Sequence, residues 1–408
     1  MHSRDRCVEP PRDGTRGDGA VGISGTAHCA RHGHGMTAPR IEIELGKIQY
    51  NTRHIVTQLR AHGIGVTGVT KAVCGHPAVA RAMLDGGATG LAESRITNVV
   101  RLLGAGMTCP IAMIRTPMKS QAELVSQDCV TSYNTEIEVV MCLAAAARKT
   151  GKIHGIVLMV EMGDMREGIM SADLTAFARD VLATTGVSLK GIGANFACLG
   201  GVAPDAVTMA RFSAIATDIE GATGCKLDTV SGGNSANLPW ALASRELSRV
   251  NDLRLGEAIL LGVDPLSGIR IDGLHTDAFT LIAEVIESKV KATSGSLAVA
   301  DPAWRGLRLV PDNDHCPRSL LAIGQQDTDV TGLEMPEGVA FVGATSDHLV
   351  IRAVNSALSV GSEVSFQMNY GALMRAMNSP DITKVVRHDW PFTSAPSSSY
   401  RNQCLETA

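Results

Sequence analysis

Aromatic side chains are scarce in this chain of 408 residues, where Phe, Trp and Tyr together make up 3%. A folded core must therefore be built from Ala, Val, Ile, Leu and Met. No apolar run approaches the ~20 residues of a membrane-spanning helix. The formal net charge of −4 gives no general attraction to nucleic acid or to an anionic membrane surface. We therefore expect neither nucleic acid nor a membrane as a partner.

Metal-ligand spacing is also missing among the ten cysteines, which show no CxxC motif and no Cys/His pattern. A chain of this length does not need disulfides to hold its core, so we expect reduced thiols and a cytoplasmic protein. The histidines of RHGHG, in residues 31–35, are better explained by a solvated segment than by a metal site. The sequence therefore predicts no resident metal.

The two ends of the chain differ in composition from the rest. Residues 1–35 are rich in Gly, Arg, Asp and His and have no apolar period, so they cannot bury enough surface to fold. They also lack the apolar core of a secretion signal. We predict a disordered arm over residues 1–39, unless Met36 is the true start. The last stretch, residues 391–408, is predicted to be a loose tail.

Between residues 40 and 272, β-rich apolar segments alternate with segments of helical spacing. The predicted strands span 65–71, 88–94, 110–116, 129–134, 155–163, 189–197, 227–233 and 251–256. Eight such repeats in about 200 residues are typical of a (β/α)8 barrel. An open doubly wound sheet is the alternative, but no GxGxxG follows the first strand.

A second domain is predicted over residues 273–390. Its β-like segments span 279–292, 318–324, 339–354 and 364–371, with Gly, Pro and Asp between them. Short strands separated by turn residues indicate a mostly antiparallel sheet. The predicted fold is therefore an α/β barrel of the TIM type followed by a C-terminal, mostly antiparallel β domain.

Chemically active side chains stand at the ends of five predicted barrel strands. They are Lys71 at the first, Arg166 after the fifth, Asn195 at the sixth, Asn234 and Ser235 after the seventh, and Arg254 in the eighth. Each alone has an ordinary explanation: a lysine reaches water, an arginine pairs with a carboxylate, and GGNS forms a turn with an N-cap. Barrels of this type carry their chemistry at the C-terminal strand ends and bind phosphate after strands seven and eight. Together, these residues therefore indicate one site.

Lys71 suggests which chemistry this site performs. An amine at a barrel mouth, desolvated and close to arginines, has its charged form disfavoured. A neutral lysine is a nucleophile toward aldehydes. With a phosphate site across the mouth, pyridoxal 5'-phosphate fits both ends, and it supplies an electron sink for amino-acid chemistry. A sugar-phosphate enzyme that uses Lys71 in a Schiff base of its own is the alternative at this point.

Several motifs then carry a resemblance. VTKAVCGH, MREG, GGNSAN, RLGEAILLG and MNYG together resemble the alanine racemase family, the fold type III pyridoxal-phosphate enzymes. The resemblance runs from about residue 40 to about residue 385. Within the family, GDMREGI, GANFACLGG, LAIGQQDTD and ATSDHLV are most similar to ornithine racemase and its relatives. The resemblance implies an amino-acid racemase that uses pyridoxal phosphate.

The resemblance also implies residue roles. Lys71 matches the lysine that binds the cofactor covalently and serves as one of two bases. Arg254 matches the arginine beside the pyridine nitrogen, and Arg166 matches an arginine near the substrate carboxylate. Asp347 matches an aspartate that reaches the substrate pocket from the partner subunit. The phosphate ligands are matched by Ser235, with its neighbour Asn234, and by Gly256 and Tyr370.

Three departures from the family pattern affect the mechanism. Asn195 stands where alanine racemase has a histidine near the cofactor. AVCGH follows Lys71, so a tyrosine that would contact the phosphate is missing there. The stretch that corresponds to the second base, a tyrosine of the partner chain, reads GSLAVADPAW and has no tyrosine. Asp301 is the nearest proton carrier in this stretch, although an aspartate before Pro302 is equally explained as a turn residue.

The sequence therefore predicts a cytoplasmic racemase that interconverts L- and D-amino acids by two-base proton transfer at Cα. Sites shared in a homodimer are expected, because the second base by resemblance comes from the partner's β domain. A metal-assisted lyase similar to D-threonine aldolase is one alternative, and Asp347 and His348 would be its candidate ligands. A non-catalytic carrier of pyridoxal phosphate is another, which the presence of a whole β domain disfavours.

Overall fold

The computed structural model describes residues 37–200, 203–243, 248–291, 317–353 and 357–388. The predicted arm up to residue 36, the candidate base Asp301 and the predicted tail lie outside these described residues. Within the described ranges, no helix is long and apolar enough to cross a membrane.

The strands and helices alternate regularly up to residue 261 and then give way to strands. The strands are β1 (Arg40–Glu44), β2 (Gly65–Val69), β3 (Gly90–Glu93), β4 (Ile111–Met113), β5 (Thr131–Asn134), β6 (His154–Val160), β7 (Val187–Ala194), β8 (Thr229–Ser231), β9 (Asp252–Leu255), β10 (Phe279–Val290), β11 (Pro317–Leu321), β12 (Leu333–Glu334), β13 (Val339–Ala344), β14 (Leu349–Ala353), β15 (Glu363–Met368) and β16 (Thr383–Arg387). The helices are α1 (Leu45–Arg60), α2 (Pro77–Asp85), α3 (Ile96–Gly104), α4 (Ala122–Asp128), α5 (Ile137–Lys149), α6 (Ser171–Ala183), α7 (Ala206–Thr223), α8 (Leu238–Ala243), α9 (Glu257–Leu261) and α10 (Tyr370–Asn378).

Strands β2 to β9 form a closed parallel barrel in chain order. Each overlaps one of the eight predicted segments, and the predicted barrel is confirmed. All seven residues of β6 are buried, as expected for a strand that is covered on both faces. The helices pack outside, with an apolar face such as Ile96, Val99 and Leu102 of α3 turned inward.

The remaining strands form a separate sheet, ordered β12-β15-β10-β11-β14-β13, with β1 beside β10 and β16 beside β1. Most of its pairings are antiparallel, which confirms the predicted β domain. Residues 40–44 fall within the range 40–272 predicted for the barrel, but β1 pairs antiparallel with β10 and parallel with β16. Arg40 binds Glu363 of β15 with two hydrogen bonds of 2.6 and 2.9 Å, which fixes this strand in the second sheet.

The segment predicted as a strand over 364–371 ends earlier than expected. β15 stops at Met368, and the side chain of Asn369 accepts a hydrogen bond from the backbone N–H of Ala372 at 2.9 Å. An N-cap of this kind begins a helix. Tyr370 is therefore the first residue of α10, which packs against the turn Lys71–Val73 of the barrel.

Candidate active site

A cavity of about 580 Å³ opens at the C-terminal ends of the barrel strands. It brings together eight residues that were singled out in the sequence. They are Lys71, Arg166, Asn195, Asn234, Ser235, Arg254, Gly256 and Tyr370. All except Tyr370 follow or end barrel strands, and Tyr370 reaches the cavity from α10 of the β domain. Residues far apart in sequence thus line one cavity.

Lys71 begins the turn directly after β2 and projects into this cavity. The residue before it, Thr70, donates a 2.6 Å hydrogen bond to the buried carboxyl of Glu93, which also accepts one from Asn98 at 3.0 Å. This pair of bonds fixes the backbone that carries Lys71. The amine retains access to solvent through the cavity, yet protein atoms around it and the nearby charge of Arg166 lower its pKa. Both effects favour the neutral, nucleophilic amine.

Another wall of the cavity is a tight turn that follows β8. The side chain of Asn234 accepts a hydrogen bond from the N–H of Ala236 and donates one to the carbonyl of Phe196 at 2.9 Å. The buried hydroxyl of Ser235 accepts a hydrogen bond from the N–H of Ala258 at 3.1 Å, which ties this turn to α9.

Gly256, between β9 and α9, completes this wall. A Cβ atom there would lie 3.1 Å from the carbonyl oxygen of Val69, closer than side chains ordinarily approach. This close approach favours a residue without a side chain, which leaves backbone and hydroxyl groups as the surface offered to a ligand. Backbone N–H and Ser hydroxyl groups of this kind suit a phosphate.

Arg254 lies at the base of the cavity and is 4% exposed. Its Nη2 donates to the carbonyl of Ala194 at 2.7 Å and to Oδ1 of Asn195 at 2.9 Å. Its Nη1 donates to Ser231, and the guanidinium carbon lies 4.8 Å from the centre of the Tyr133 ring. The guanidinium is thus held rigidly from several strands. A buried arginine with this support can present a fixed donor to a ligand above it.

Asn195 connects this buried arginine to the arginine at the cavity mouth. Its Nδ2 donates to Oε1 of Glu167 at 2.8 Å, and the same oxygen accepts from Nη2 of Arg166 at 2.8 Å. Nε of Arg166 donates to the other carboxylate oxygen. Asn195 and Arg166 could be identified from the sequence, but Glu167, which joins them, could not.

Two further residues of the cavity, Cys198 and Glu257, were missed in the sequence, as was the buried Glu93 that accepts a hydrogen bond from Thr70. Burial raises the pKa of Glu93 and raises the pKa of Glu257 to about 7. Glu257 directly follows Gly256, so its position after a barrel strand was the signal that could have identified it. Cys198 lies three residues after Asn195, in a loop whose path the sequence does not determine.

Asp347 does not line the cavity of its own chain. It lies in the exposed turn between β13 and β14, and its Oδ1 is 3.1 Å from Nδ1 of His348. Among the described residues, no group of three or more His, Cys, Asp and Glu side chains is placed to hold a metal ion. Asp301 lies outside the described residues.

Comparison with solved structures supports the fold. The crystal structure of alanine racemase from E. faecalis superposes with a TM-score of 0.66 at 18% sequence identity, covering 85% of this chain and 98% of that chain. An overall likeness at so low an identity shows that the two share a barrel with a second β domain.

Comparison of sequences is more specific. The chain is 31% identical to ornithine racemase of Acetoanaerobium sticklandii over 352 residues, which are 85% of this chain and 99% of that protein. It is 34% identical to lysine racemase of Thermotoga maritima over 363 residues, 86% of this chain and 99% of that protein. The family model for the alanine racemase N-terminal domain matches residues 43–265. The chain therefore belongs to the alanine racemase family.

Proposed function

We propose that this amino-acid racemase uses pyridoxal 5'-phosphate and acts on amino acids with a basic side chain, with ornithine and lysine as the first candidates. The observation that carries the proposal is the placement of Lys71, Ser235 and Arg254 around one cavity, in a chain similar to ornithine and lysine racemases over most of its length.

The residues of the cavity fit this cofactor. The amine of Lys71, with its lowered pKa, would hold the aldehyde carbon. Ser235, the hydroxyl of Tyr370 and the backbone at Gly256 would hold the phosphate, with Asn234 supporting the turn. When bound, pyridoxal phosphate supplies an electron sink that acidifies the Cα–H bond of an amino acid.

Arg254 would limit how strongly electrons are withdrawn. A guanidinium donates hydrogen bonds and does not give up its proton at physiological pH. A ring nitrogen that accepts from it therefore stays unprotonated. Asn195, fixed between Arg254 and Glu167, would keep this guanidinium in place. A weaker electron sink suits proton exchange at Cα better than the transfer of an amino group.

Arg166 would bind the substrate carboxylate, since a planar guanidinium can donate two parallel hydrogen bonds to it. Its side chain is 38% exposed, so it is accessible from the cavity mouth. Glu167 already holds one edge of the guanidinium and thereby orients it. Lys71 would then exchange the Cα proton on one face of the bound amino acid.

We further propose a homodimer that works in the cytoplasm. The exposed position of Asp347, away from the cavity of its own chain, suits a residue that contributes to a partner's site. The cysteines of the described ranges are free thiols, in keeping with a reducing compartment. Light scattering of the purified protein would test the dimer, for which twice the mass of 42.8 kDa is expected.

The decisive experiment is incubation of the purified protein with single L-amino acids in D2O. Ornithine and lysine should gain deuterium at Cα and become racemic, faster than alanine and serine. An absorbance band at about 420 nm that disappears on borohydride reduction should accompany the activity. Millimolar chelator should leave the activity unchanged, whereas its loss would favour the metal-assisted lyase. Absence of both the band and the exchange would refute the proposal.

A further inference from the structure

Cys198 offers its thiol to the candidate active site from the loop after β7. The loop is held by the buried carboxylate of Asp164, whose Oδ1 accepts hydrogen bonds from the N–H groups of Cys198 and Leu199 at 2.8 and 2.9 Å. Ala197, just before the cysteine, has a positive φ of 57°. A non-glycine residue in this region costs free energy, which indicates that the surrounding contacts impose the position of the thiol.

The sulfur atom is surrounded by groups of the site. Nδ2 of Asn234 donates to Sγ at 2.9 Å. The sulfur is also close enough to Lys71, Arg166 and Tyr370 to act on their pKa values, and it opposes the lowering at Lys71. The thiol therefore lies among the charged and hydrogen-bonding groups that line the candidate active site.

The barrel order places this thiol across the cavity from Lys71. Lys71 follows β2 and Cys198 follows β7, and these strands are three steps apart around a closed ring of eight, where four is the maximum. A ligand held between them would therefore face the amine on one side and the thiol on the other. A racemase of the two-base type needs one proton carrier on each face of Cα.

The other proton-carrying side chains of the described cavity are less suitable for the second face. Glu257 follows β9, which neighbours β2, and Tyr370 belongs to the helix that packs on Lys71–Val73, so both lie on the side of Lys71. Glu167 lies across from Lys71, but both of its carboxylate oxygens accept hydrogen bonds from Arg166.

We propose that Cys198 is the second catalytic base, acting on the face of the substrate opposite Lys71. This assignment rests on the racemase function proposed above. In one direction, the Cα–H bond breaks, its proton moves to the thiolate sulfur, and the electron pair stays with the substrate. The ammonium group of Lys71 then returns a proton to the other face. In the reverse direction the two groups exchange roles, and nothing is oxidised or reduced.

Cys198→Ala separates this role from a structural one. Racemisation should fall by about 10³-fold, within the range for loss of a general base. Deuterium exchange at Cα should persist for the enantiomer whose proton faces Lys71, without inversion, and should be lost for the other. Cys225→Ala, at a free thiol that does not line the cavity, is the matched control and should behave as the wild type. Equal loss of exchange for both enantiomers would overturn the assignment, as would racemisation at the wild-type rate.

Asp301→Asn distinguishes this assignment from the one suggested by resemblance. The Asp301→Asn variant should retain racemisation. If instead Asp301→Asn lost exchange for one enantiomer only, and Cys198→Ala remained active, the role of Cys198 would be overturned. Iodoacetamide should alkylate Cys198 in the cofactor-free protein, and bound cofactor with substrate should slow this alkylation at least tenfold, as measured by peptide mass. An alkylation rate that is the same with and without bound cofactor and substrate would also overturn the role of Cys198. Failure of the proposed function is a separate outcome, because the wild type would then exchange no Cα proton at all.

Discussion

Nη2 of Arg254 lies 2.9 Å from Oδ1 of Asn195, deep in the barrel mouth. The other end of the same amide donates to Glu167, which pairs with Arg166 at the exposed side. The uncharged side chain of Asn195 therefore lies between the guanidinium of Arg254 and the carboxylate of Glu167, and it forms a hydrogen bond with each. An amide suits this position because it has an acceptor and a donor at opposite edges.

Asn195→Ala should disconnect the two arginines. Each lost hydrogen bond involves a charged partner, for which about 1.5–3 kcal/mol is typical. We expect kcat/KM for the preferred amino acid to fall by about 10- to 100-fold, with weaker cofactor binding. Steady-state kinetics and titration with pyridoxal phosphate measure the two effects. Asn378→Ala, on the exposed face of α10, is the control. Unchanged kinetics in Asn195→Ala would show that the link is not required.

Lys71→Ala should abolish the absorbance band at about 420 nm. Racemisation should fall by about 10³-fold or more, because both the covalent attachment and one base are lost. The circular dichroism spectrum should stay the same, since Lys71 lies in the cavity rather than in the core. Lys190→Ala, at an exposed lysine paired with Asp228, should retain both band and activity. A Lys71→Ala enzyme with normal turnover would contradict the proposed function.

Arg166→Lys should mainly affect substrate binding. Lysine keeps the charge but cannot form two parallel hydrogen bonds with a carboxylate. We expect KM for the amino acid to rise by about 10-fold, with a smaller change in kcat, corresponding to roughly 1.4 kcal/mol. Arg179→Lys, on the exposed face of α6, should leave KM unchanged. A change confined to kcat would place Arg166 outside the carboxylate site.

Glu257 should make the stability of the cofactor-free protein depend on pH. Burial raises its pKa from 4.5 to about 7, so the folded state holds this proton more tightly than the unfolded state does. Its contribution is therefore fully present below pH 4.5 and is lost as the pH rises through about 7. Because part of the carboxyl reaches solvent, the effect is smaller than the pKa shift alone implies. We expect the free energy of unfolding to fall by about 1–2 kcal/mol as the pH rises through this range.

Urea unfolding at pH 5 and pH 8 tests this prediction. In the wild type, the free energy of unfolding should be lower at pH 8 than at pH 5 by about 1–2 kcal/mol. Glu257→Gln should remove most of this difference, so that the variant is more stable than the wild type at pH 8. Glu138→Gln, at an exposed position in the first turn of α5, should keep the wild-type pH dependence. An identical pH dependence in Glu257→Gln would show that its carboxyl titrates normally.

The barrel could be predicted from the sequence because its strands are short apolar runs between helical segments, as at Gly65–Val69 and His154–Val160. Such barrels carry their chemistry at the C-terminal ends of their strands, and this rule assigns Lys71 and Arg254 to one site even when no interatomic distance is known. Local pattern and topology are sufficient for this level of description.

The connections within the site could not be predicted in this way. The bond between Asn195 and Glu167 joins side chains from the segments that follow two different strands, and it depends on rotamers and not on residue spacing. Cys198 enters the cavity because Asp164, more than thirty positions earlier, captures its loop. Asn369, which begins α10, looks like part of a strand until its side chain is seen to cap Ala372.

The pairing of β1 with β10 and β16 affects how the chain must be assembled during synthesis. Residues Arg40–Glu44 leave the ribosome before any of the barrel, yet their partners end at Val290 and Arg387. The entire barrel is thus inserted between two neighbouring strands of the other sheet. The barrel can close while this early strand is still unpaired, and the second sheet can be completed only when translation has nearly ended. If synthesis paused before these partners were made, the barrel would be folded while β1, at its N-terminal end, still exposed unpaired backbone N–H and C=O groups. An unpaired strand of this kind can pair with another chain and cause aggregation.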